Sequence, residues 1–360
     1  MQIPVANHIP EVSEPTAAGL GGNGAPHPAP RGPREIQSPY DSLVIDPAQV
    51  TSHICQVLSH QVRSVLRRRG AVVGLSGGVD SSVVAALCAR ALGSENVLGV
   101  LMPERDSSPD ALRLGTMVAT ALGVATVVED IAPALTALGC YTRQIEAIRE
   151  VFPEYAEGWR CKLTLPPILG DNRLNIHRLT VQSPHGSEQT ARMPTDAYQA
   201  LVAATNFKQR IRKTIEYYHA DRLRYAVAGT PNRLEYDQGF FVKHGDGDAD
   251  VKPIAHLYKS QVYALATYLG VPHEITSSTP TTDTYSLPQT QEEFYFSIDL
   301  RRMDACLYGC NHGLAAVDVA PLLALSPEQV ERVYRDIAAK RRGSTYLHQR
   351  PMLIDPVEEV

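Results

Sequence analysis

A chain of 360 residues with 44% hydrophobic and 20% charged side chains and a net charge of −5 has the composition of a globular protein with a sizeable core. The mild acidity excludes a general nucleic-acid binder, which needs a basic face to displace counterions, and no apolar run is long enough to span a bilayer. Glu11 and Glu14, with no Lys or Arg before Arg31, suit neither a secretory signal nor an Arg-rich transit peptide, so the expected location is cytoplasmic.

Residues 1 to 40 hold eight prolines and five glycines, with no aromatic residue before Tyr40. Such a stretch buries too little surface to offset chain entropy, and residues 1–44 are expected to be a disordered tail. A helix follows, with Asp46 and Pro47 as N-cap and first residue and Gly70 at its end. Val50, Ile54, Val57, Leu58, Val62, Val65 and Leu66 lie on its apolar face, which could serve in a core or at an interface between two copies. Ala71-Val72-Val73 then reads as a strand and the run through Val83, Val84, Leu87 and Leu92 as a helix.

Between that strand and helix two motifs overlap. Gly74-Leu75-Ser76-Gly77-Gly78 fits G-x-S-x-G, the turn that presents a nucleophilic serine in α/β-hydrolases. Ser76-Gly77-Gly78-Val79-Asp80-Ser81-Ser82 reads instead as a glycine-rich anion cradle opening a helix. The hydrolase turn needs an earlier strand to donate an N–H to its oxyanion hole, and only one helix precedes this one. Position therefore favours the cradle, with a purely structural turn as the remaining alternative.

Strand and helix alternate onward: Asn96 to Met102 a strand, Pro109 to Leu122 a helix, Val124 to Val128 a strand, Pro133 to Leu138 the start of a helix. This alternation predicts an α/β fold, a doubly wound parallel sheet with helices on both faces and ligands at the carboxyl ends of the strands. Residues 155–195, rich in Pro, Gly, Asn and Ser, break the pattern and read as a long loop or lid. Regularity returns with a helix from Pro194 to Tyr218, a strand at Arg224 to Gly229, and a helix carrying Tyr258, Val262, Leu265 and Leu269 that stops at Gly270. Ser326-Pro327-Glu328-Gln329 caps a final helix to about Gly343. The expected organisation is a folded domain over 45–345 and a C-terminal tail over 346–360.

The cradle's helix N-terminus suits phosphate or pyrophosphate, and the Ser81 and Ser82 hydroxyls add donors. It is not a Walker A loop, because no Gly-Lys-Ser/Thr follows. Asp80 would repel a phosphate unless a cation lay between, which implies Mg²⁺. "DGDAD" at Asp246 to Asp250 mimics a calcium loop, but Val251 stands where an EF-hand wants Gly and Leu257 where it wants Glu. Of the six cysteines only Cys306 and Cys310 are close, with no second pair for zinc, so free thiols are expected.

Ser-Gly-Gly-x-Asp-Ser between a first strand and helix resembles the signature of the ATP pyrophosphatase superfamily. Gly229 to Pro272 ("GTPNRLEYDQGFFVKHGDGDADVKPIAHLYKSQVYALATYLGVP") and "PTTDTYSLPQTQEEF" resemble the ammonia-dependent NAD⁺ synthetases within it. "NFKQRIR" at Asn206 to Arg212 resembles that family's basic helix, and "MPERDSS", from Met102, its adenine-side loop. These pieces cover most of residues 70 to 300. "PNRL" at Pro231 to Leu234 and the length of 155–195 depart from the family pattern.

The resemblance implies Asp80 and Glu235 as Mg²⁺ ligands and an ATP or pyrophosphate site at Ser76, Gly77, Gly78, Val79, Asp80, Ser81, Ser82, Met102, Arg210, Arg212 and Thr230. Lys259 and Thr281 would be phosphate or transition-state contacts on a mobile loop, and with Asp80 the catalytic set. Lys243, Asp246 and Asp250 would form the dinucleotide pocket. The implied reaction adenylates the nicotinate carboxylate of deamido-NAD⁺ with ATP and transfers ammonia to give NAD⁺, AMP and pyrophosphate. The alternative is a related amide synthetase acting on another acid; a tRNA-modifying enzyme would call for a basic appended domain. A homodimer is expected. Ammonia would arrive free or from a separate amidase, because the 45 or so residues before the first helix and the 65 or so after Glu293 are too few for an amidase domain.

Overall fold

The computed structural model describes residues 38–170, 176–282 and 284–357, and the described residues from 38 onward belong to one unit. The expected N-terminal tail lies mostly outside them, but the packed chain begins before residue 45. A short helix at Pro39–Ser42 is followed by the buried Leu43.

The regular elements are α1 (Pro47–His60), β1 (Ala71–Gly74), α2 (Val79–Leu92), β2 (Val97–Leu101), α3 (Pro109–Leu122), β3 (Ala125–Val128), α4 (Cys140–Arg149), β4 (Arg160–Thr164), β5 (Arg178–Gln182), β6 (Glu188–Arg192) and α5 (Thr195–Leu223). Then come β7 (Ala226–Val227), α6 (Arg233–Gln238), α7 (Lys259–Tyr268), α8 (Leu300–Asn311) and α9 (Pro327–Ser344), with shorter turns between. The Asp46 side chain caps α1 as expected, accepting from the Ala48 N–H at 2.9 Å. The helical path ends at Leu66 rather than Gly70, after a wider π turn over Gln61–Val65.

Strands β3, β2, β1 and β7 form a parallel sheet in that order. Because alternate strand residues face opposite ways, Ala71 and Val73 pack with Leu58 of α1, Val83 of α2 and Val262 of α7. Val72 and Val100 join Ala220 of α5 on the other face. Covered on both faces, the sheet is the doubly wound arrangement expected. The chain steps outward from β1 to β3 and later returns to the far side of β1 as β7. That reversal opens a crevice at the carboxyl ends of β1 and β7, where a doubly wound fold binds its ligand. Ile54, Leu58 and Val62 of the expected apolar face are buried in this core, whereas Val57 and Val65 are exposed.

Where a long loop or lid was expected, the described residues of 155–195 carry regular strands. Strands β4, β5 and β6 form a second, antiparallel sheet in that order. Cys161 and Leu163 of β4 and Leu179 and Val181 of β5 pack against Ile148 of α4 and Leu201 of α5. The alternation is short and flanked by turn formers. Gly186, at φ 85°, makes the tight bend between β5 and β6. The outer edge of β4 bonds to a later segment: the Leu287 N–H donates to the Cys161 carbonyl at 3.0 Å and the Leu165 N–H to that of Glu293 at 2.8 Å.

Helices α8 and α9 build a third core around Met303, Leu307, Val330 and Val333. The Ser326–Gln329 capping box starts α9 as expected. Order continues past 345 through a 3-10 turn at Thr345–His348, so the folded domain outlasts its expected end. Among the described residues, no helix is long and apolar enough to cross a membrane.

Candidate active site

A cleft of about 640 Å³ opens over the carboxyl ends of the parallel strands, at the expected crevice. Its floor begins at the turn between β1 and α2. Gly77 has φ 79°, and a Cβ there would stand 2.9 Å from the Leu114 Cβ and 3.0 Å from the Ala111 carbonyl oxygen, so only glycine fits. Gly78 precedes α2 with no side-chain cap, which leaves N–H groups of the first turn for an anion.

Ser76 Oγ accepts from the Gly78 N–H at 3.3 Å and lies 3.2 Å from Ser81 Oγ. Those partners include no imidazole, so the hydrolase reading has no base for its nucleophile. Ser81 and Ser82 differ from expectation. Their hydroxyls donate to the Gly78 carbonyl at 3.0 and 2.8 Å, and both residues are buried outside the cleft wall. They brace the cradle from behind, which residue type alone could not show.

Asp80 points from the first turn of α2 toward α6 and α7. It accepts from Lys259 Nζ through one oxygen and from Asn232 Nδ2 at 3.1 Å through the other. Asn232 also caps α6, its Oδ1 accepting from the Leu234 N–H at 2.9 Å, while Glu235 Oε2 accepts from the Asn232 N–H at 3.1 Å. Glu235 is thus both a capping-box residue and a wall of the cleft, and Gln291 Nε2 donates to its other oxygen at 3.0 Å.

Burial, then the charge of Asp80, pushes the Glu235 carboxyl above its ordinary range, against Lys259 and the Asn232 N–H. Burial opposes the Lys259 charge, but Asp80 and Glu235 prevail and hold its pKa above the usual lysine value. Lys259 is only 2% exposed and opens a helix, an unfavourable end for a cation. Asp304 of α8 offsets this. Its carboxylate accepts from the Lys259 and Ser260 N–H groups at 3.0 and 2.7 Å, and burial pushes its pKa up to about 6.

Met102, Arg212, Thr230, Asp246 and Thr281 line the same cleft. Arg210, Lys243 and Asp250 do not. Arg210 Nε donates to the Lys243 carbonyl at 3.3 Å, Lys243 Nζ to the carbonyls of Tyr346 and Gln349, and Asp250 accepts from the Val227 N–H at 2.7 Å. In this arrangement they hold chain segments together, so the expected pocket of Lys243, Asp246 and Asp250 is reduced to Asp246 at the wall. Asp246 itself accepts from the Val242 N–H at 2.6 Å, and burial raises its pKa.

Asn232, Gln291 and Asp304 escaped sequence reasoning, because their roles depend on contacts between distant segments. So did Lys208, whose buried ammonium meets Asp106 at 2.7 Å, Glu104 at 3.1 Å and the Thr284 carbonyl at 3.0 Å. It ties the loop after β2 to the segment carrying Thr281. At the far end, His177 stacks on Tyr198 with ring centroids 4.6 Å apart, and both line the cleft near Phe294. Burial, aided by the Lys340 charge, lowers the His177 pKa to about 4, so it stands neutral at neutral pH.

A magnesium ion fits this donor set. Asp80 and Glu235 offer hard oxygens, burial and then the Asp80 charge raise the Glu235 pKa, and Mg²⁺ is commonly held by one or two carboxylates plus phosphate. No group of three or more His, Cys, Asp or Glu suited to a metal occurs among the described residues.

A model of the NAD synthase family matches residues 50–152 and 173–343. A protein of Mesorhizobium japonicum named NH₃-dependent NAD⁺ synthetase is 60% identical over 86% of this chain and 98% of its own length. Identically named proteins are 58% identical in Rhizobium meliloti, over 89% and 96%, and 34% identical in Thermotoga maritima, over 80% and 94%. Among solved structures, an NH₃-dependent NAD synthetase from Campylobacter jejuni is 22% identical with a TM-score of 0.56, covering 87% of this chain and 100% of that one. The NMN synthetase of Francisella tularensis is 21% identical with a TM-score of 0.58, covering 86% and 99%. Both show the fold.

Proposed function

The chain belongs to the NAD synthase family, and from that premise we propose that it joins ammonia to the nicotinate carboxylate of deamido-NAD⁺ at the expense of ATP. In the first step a carboxylate oxygen forms a bond to the α-phosphorus of ATP as the bond to the β-phosphate bridging oxygen breaks, releasing pyrophosphate and leaving an acyl adenylate. In the second, the ammonia lone pair attacks the acyl carbon, AMP departs with its oxygen, and the nitrogen sheds a proton. Activation is needed because a carboxylate oxygen leaves poorly and AMP leaves well.

The observation that carries this reading is the cluster of Asp80, Asn232, Glu235 and Lys259 beside the open start of α2. The Gly78–Val79 turn and α2 offer N–H groups to the departing pyrophosphate. Lys259 supplies positive charge where two anions meet, held in place by Asp304. Thr281, Arg212 and Thr230 line the cleft, where they would meet the nucleotide. Mg²⁺ held by Asp80 and Glu235 would neutralise phosphate oxygens and draw charge from the leaving group.

Pyrophosphate release from Mg·ATP, with deamido-NAD⁺ and a panel of other acids, each with ammonium, tests the reaction. Release only with deamido-NAD⁺ is expected; preference for another acid replaces the acceptor, and no release with any removes the reading. Metal binding has its own readout. Mg²⁺ in the presence of ATP should raise the melting temperature of the wild type, and Asp80→Asn should lose that rise. The enzyme is further proposed to be a cytoplasmic homodimer supplied with free ammonia or by a separate amidase; a monomer by light scattering at micromolar concentration would remove the dimer.

A further inference from the structure

Strand β6 is the open edge of the small sheet. It pairs with β5 alone, Glu188 facing Gln182, Thr190 facing Thr180 and Arg192 facing Arg178. At the turn between the two strands the Ser183 N–H donates to the Ser187 carbonyl at 2.9 Å, which makes a hydrogen-bonded pair. Such pairs alternate along an antiparallel ladder, so Gln189 and Ala191 turn their N–H and C=O groups to β5. Those of Glu188, Thr190 and Arg192 point outward. Among the described residues, no other segment bonds to them.

An unpaired edge is a template for another strand, and proteins that keep one single blunt it with proline, a bulge or a row of lysines. Strand β6 has no proline or lysine, and its register with β5 runs unbroken. Glu188-Gln189-Thr190-Ala191-Arg192 instead carries opposite charges placed evenly about a central threonine, and Glu188, Thr190 and Arg192 are exposed. Laid antiparallel about a two-fold axis at Thr190, two copies set Glu188 against the partner's Arg192 at both ends. The residues brought face to face are those with free backbone groups, so each facing pair can exchange both N–H···O=C bonds. The side chains gain as well. Arg192 stands beside Arg178, and among the described residues neither has an acidic partner. Like charges directly opposite weaken a ladder, and the partner's Glu188 on the far side of Arg192 offsets that repulsion. The Thr180 and Thr190 hydroxyls, 2.9 Å apart, continue as a row to the partner's Thr190.

We propose that the β6 edge joins two copies of this chain, their small sheets running on as one antiparallel sheet about a two-fold axis at Thr190. On the core side of the seam only Gln189 and Ala191 would meet, so backbone bonds and charge hold the contact more than apolar burial does. The inference rests on the self-association proposed above and names a surface for it.

Sedimentation velocity over a range of protein concentrations tests it, comparing the wild type with Glu188→Arg, with Arg192→Glu and with both changes together. Either single change puts like charges opposite each other at both ends of the seam, and the dissociation constant should rise at least about tenfold. The double variant exchanges the charges and restores complementarity, so it should return to within about threefold of the wild type. Thr190→Pro removes an outward N–H and no bond to β5. It should weaken association like the single charge reversals while the circular dichroism spectrum stays unchanged. Single variants that associate as the wild type does overturn the proposal, whether the edge is then taken by the chain's own N-terminal segment or by another protein. A double variant as weak as the singles overturns it too, because the loss would not come from pairing of those charges. A wild type that is monomeric at every concentration removes the homodimer along with this contact, whereas unaffected variants beside an associating wild type remove the contact alone, so the two failures are distinguishable.

Discussion

Glu235 is a carboxylate whose charged form the folded protein disfavours, through burial first and the nearby charge of Asp80 second. With its pKa raised above the ordinary 4.5, the folded state binds a proton more tightly than the unfolded chain does. The stability linked to that proton is complete below pH 4.5 and is lost as the pH rises through the raised value. Glu235→Gln copies the neutral form at every pH. Its melting temperature, without ligands, should gain on the wild type as the pH rises, while turnover falls by about a hundredfold or more for want of the anion. A melting difference that stays constant with pH would mean that Glu235 does not titrate as the cluster implies. Asp80→Asn should cost a similar factor in turnover with an unchanged circular dichroism spectrum, and near-normal turnover would remove Asp80 from the chemistry. Asp80, Glu235, Lys259 and Thr281 were legible because each sits in a motif. Asn232 was hidden inside the departure at Pro231 to Leu234, and Asp304 lies in a helix with no motif, though both hold the motif residues in place.

Helix α6 is only six residues long, Arg233–Gln238, too short to stand without its ends satisfied. Asn232 satisfies the start and, through its amide, holds Asp80 as well. The two roles separate by substitution. Asn232→Ala should lose about 1 kcal/mol of stability with the cap, together with most of the activity. Asn232→Ser should keep the cap but not the reach to Asp80, recovering stability without recovering turnover; recovery of both would reduce Asn232 to a cap alone. The parallel sheet was readable because β1, β2 and β3 are apolar runs separated by helices of ordinary length. The antiparallel sheet was not. Strand β4 alternates buried Cys161 and Leu163 with more exposed neighbours over five residues, and prolines at 166 and 167 directly after it invite a loop assignment. Its edge partner, the segment near Leu287, lies more than 120 residues away, and no local pattern announces a pairing at that range. Leu163→Ala should cost about 2 to 5 kcal/mol by chemical denaturation, since Leu163 is fully buried between the small sheet and α5. A loss under about 1 kcal/mol would mean that this sheet is not packed as described.

At the scale of the whole molecule the open matter is where the nitrogen comes from. An amidase that frees ammonia from glutamine needs a thiolate, and thiolates arise where a cysteine is exposed beside positive charge. Five of this chain's six thiols lie in the opposite setting, while Cys310 is half-buried with the Arg341 guanidinium 3.8 Å from its sulfur. Burial pushes Cys88 and Cys306 up to about 12 and Cys140 up to about 11, and it raises Cys161 and Cys55 as well. Cys88 sits in the core within α2, the helix that the cradle opens, and Cys161 in the small sheet, so each serves as an apolar packing group. The purified chain should therefore turn over with ammonium and show no glutamine-dependent activity by itself. Because neutral NH₃ is the nucleophile, the rate at limiting total ammonium should climb through the mildly alkaline range as its fraction grows. The same range draws protons from Glu235, whose pKa burial has raised, and ionised Glu235 is the form that would hold Mg²⁺. Both effects push the rate upward with pH, and they separate with saturating ammonium. There the ammonia dependence vanishes, and any remaining rise should flatten when Mg²⁺ is raised, since metal competes with protons for the carboxylate. A rate independent of pH at limiting ammonium, or efficient turnover with glutamine alone, would overturn this account of the nitrogen source.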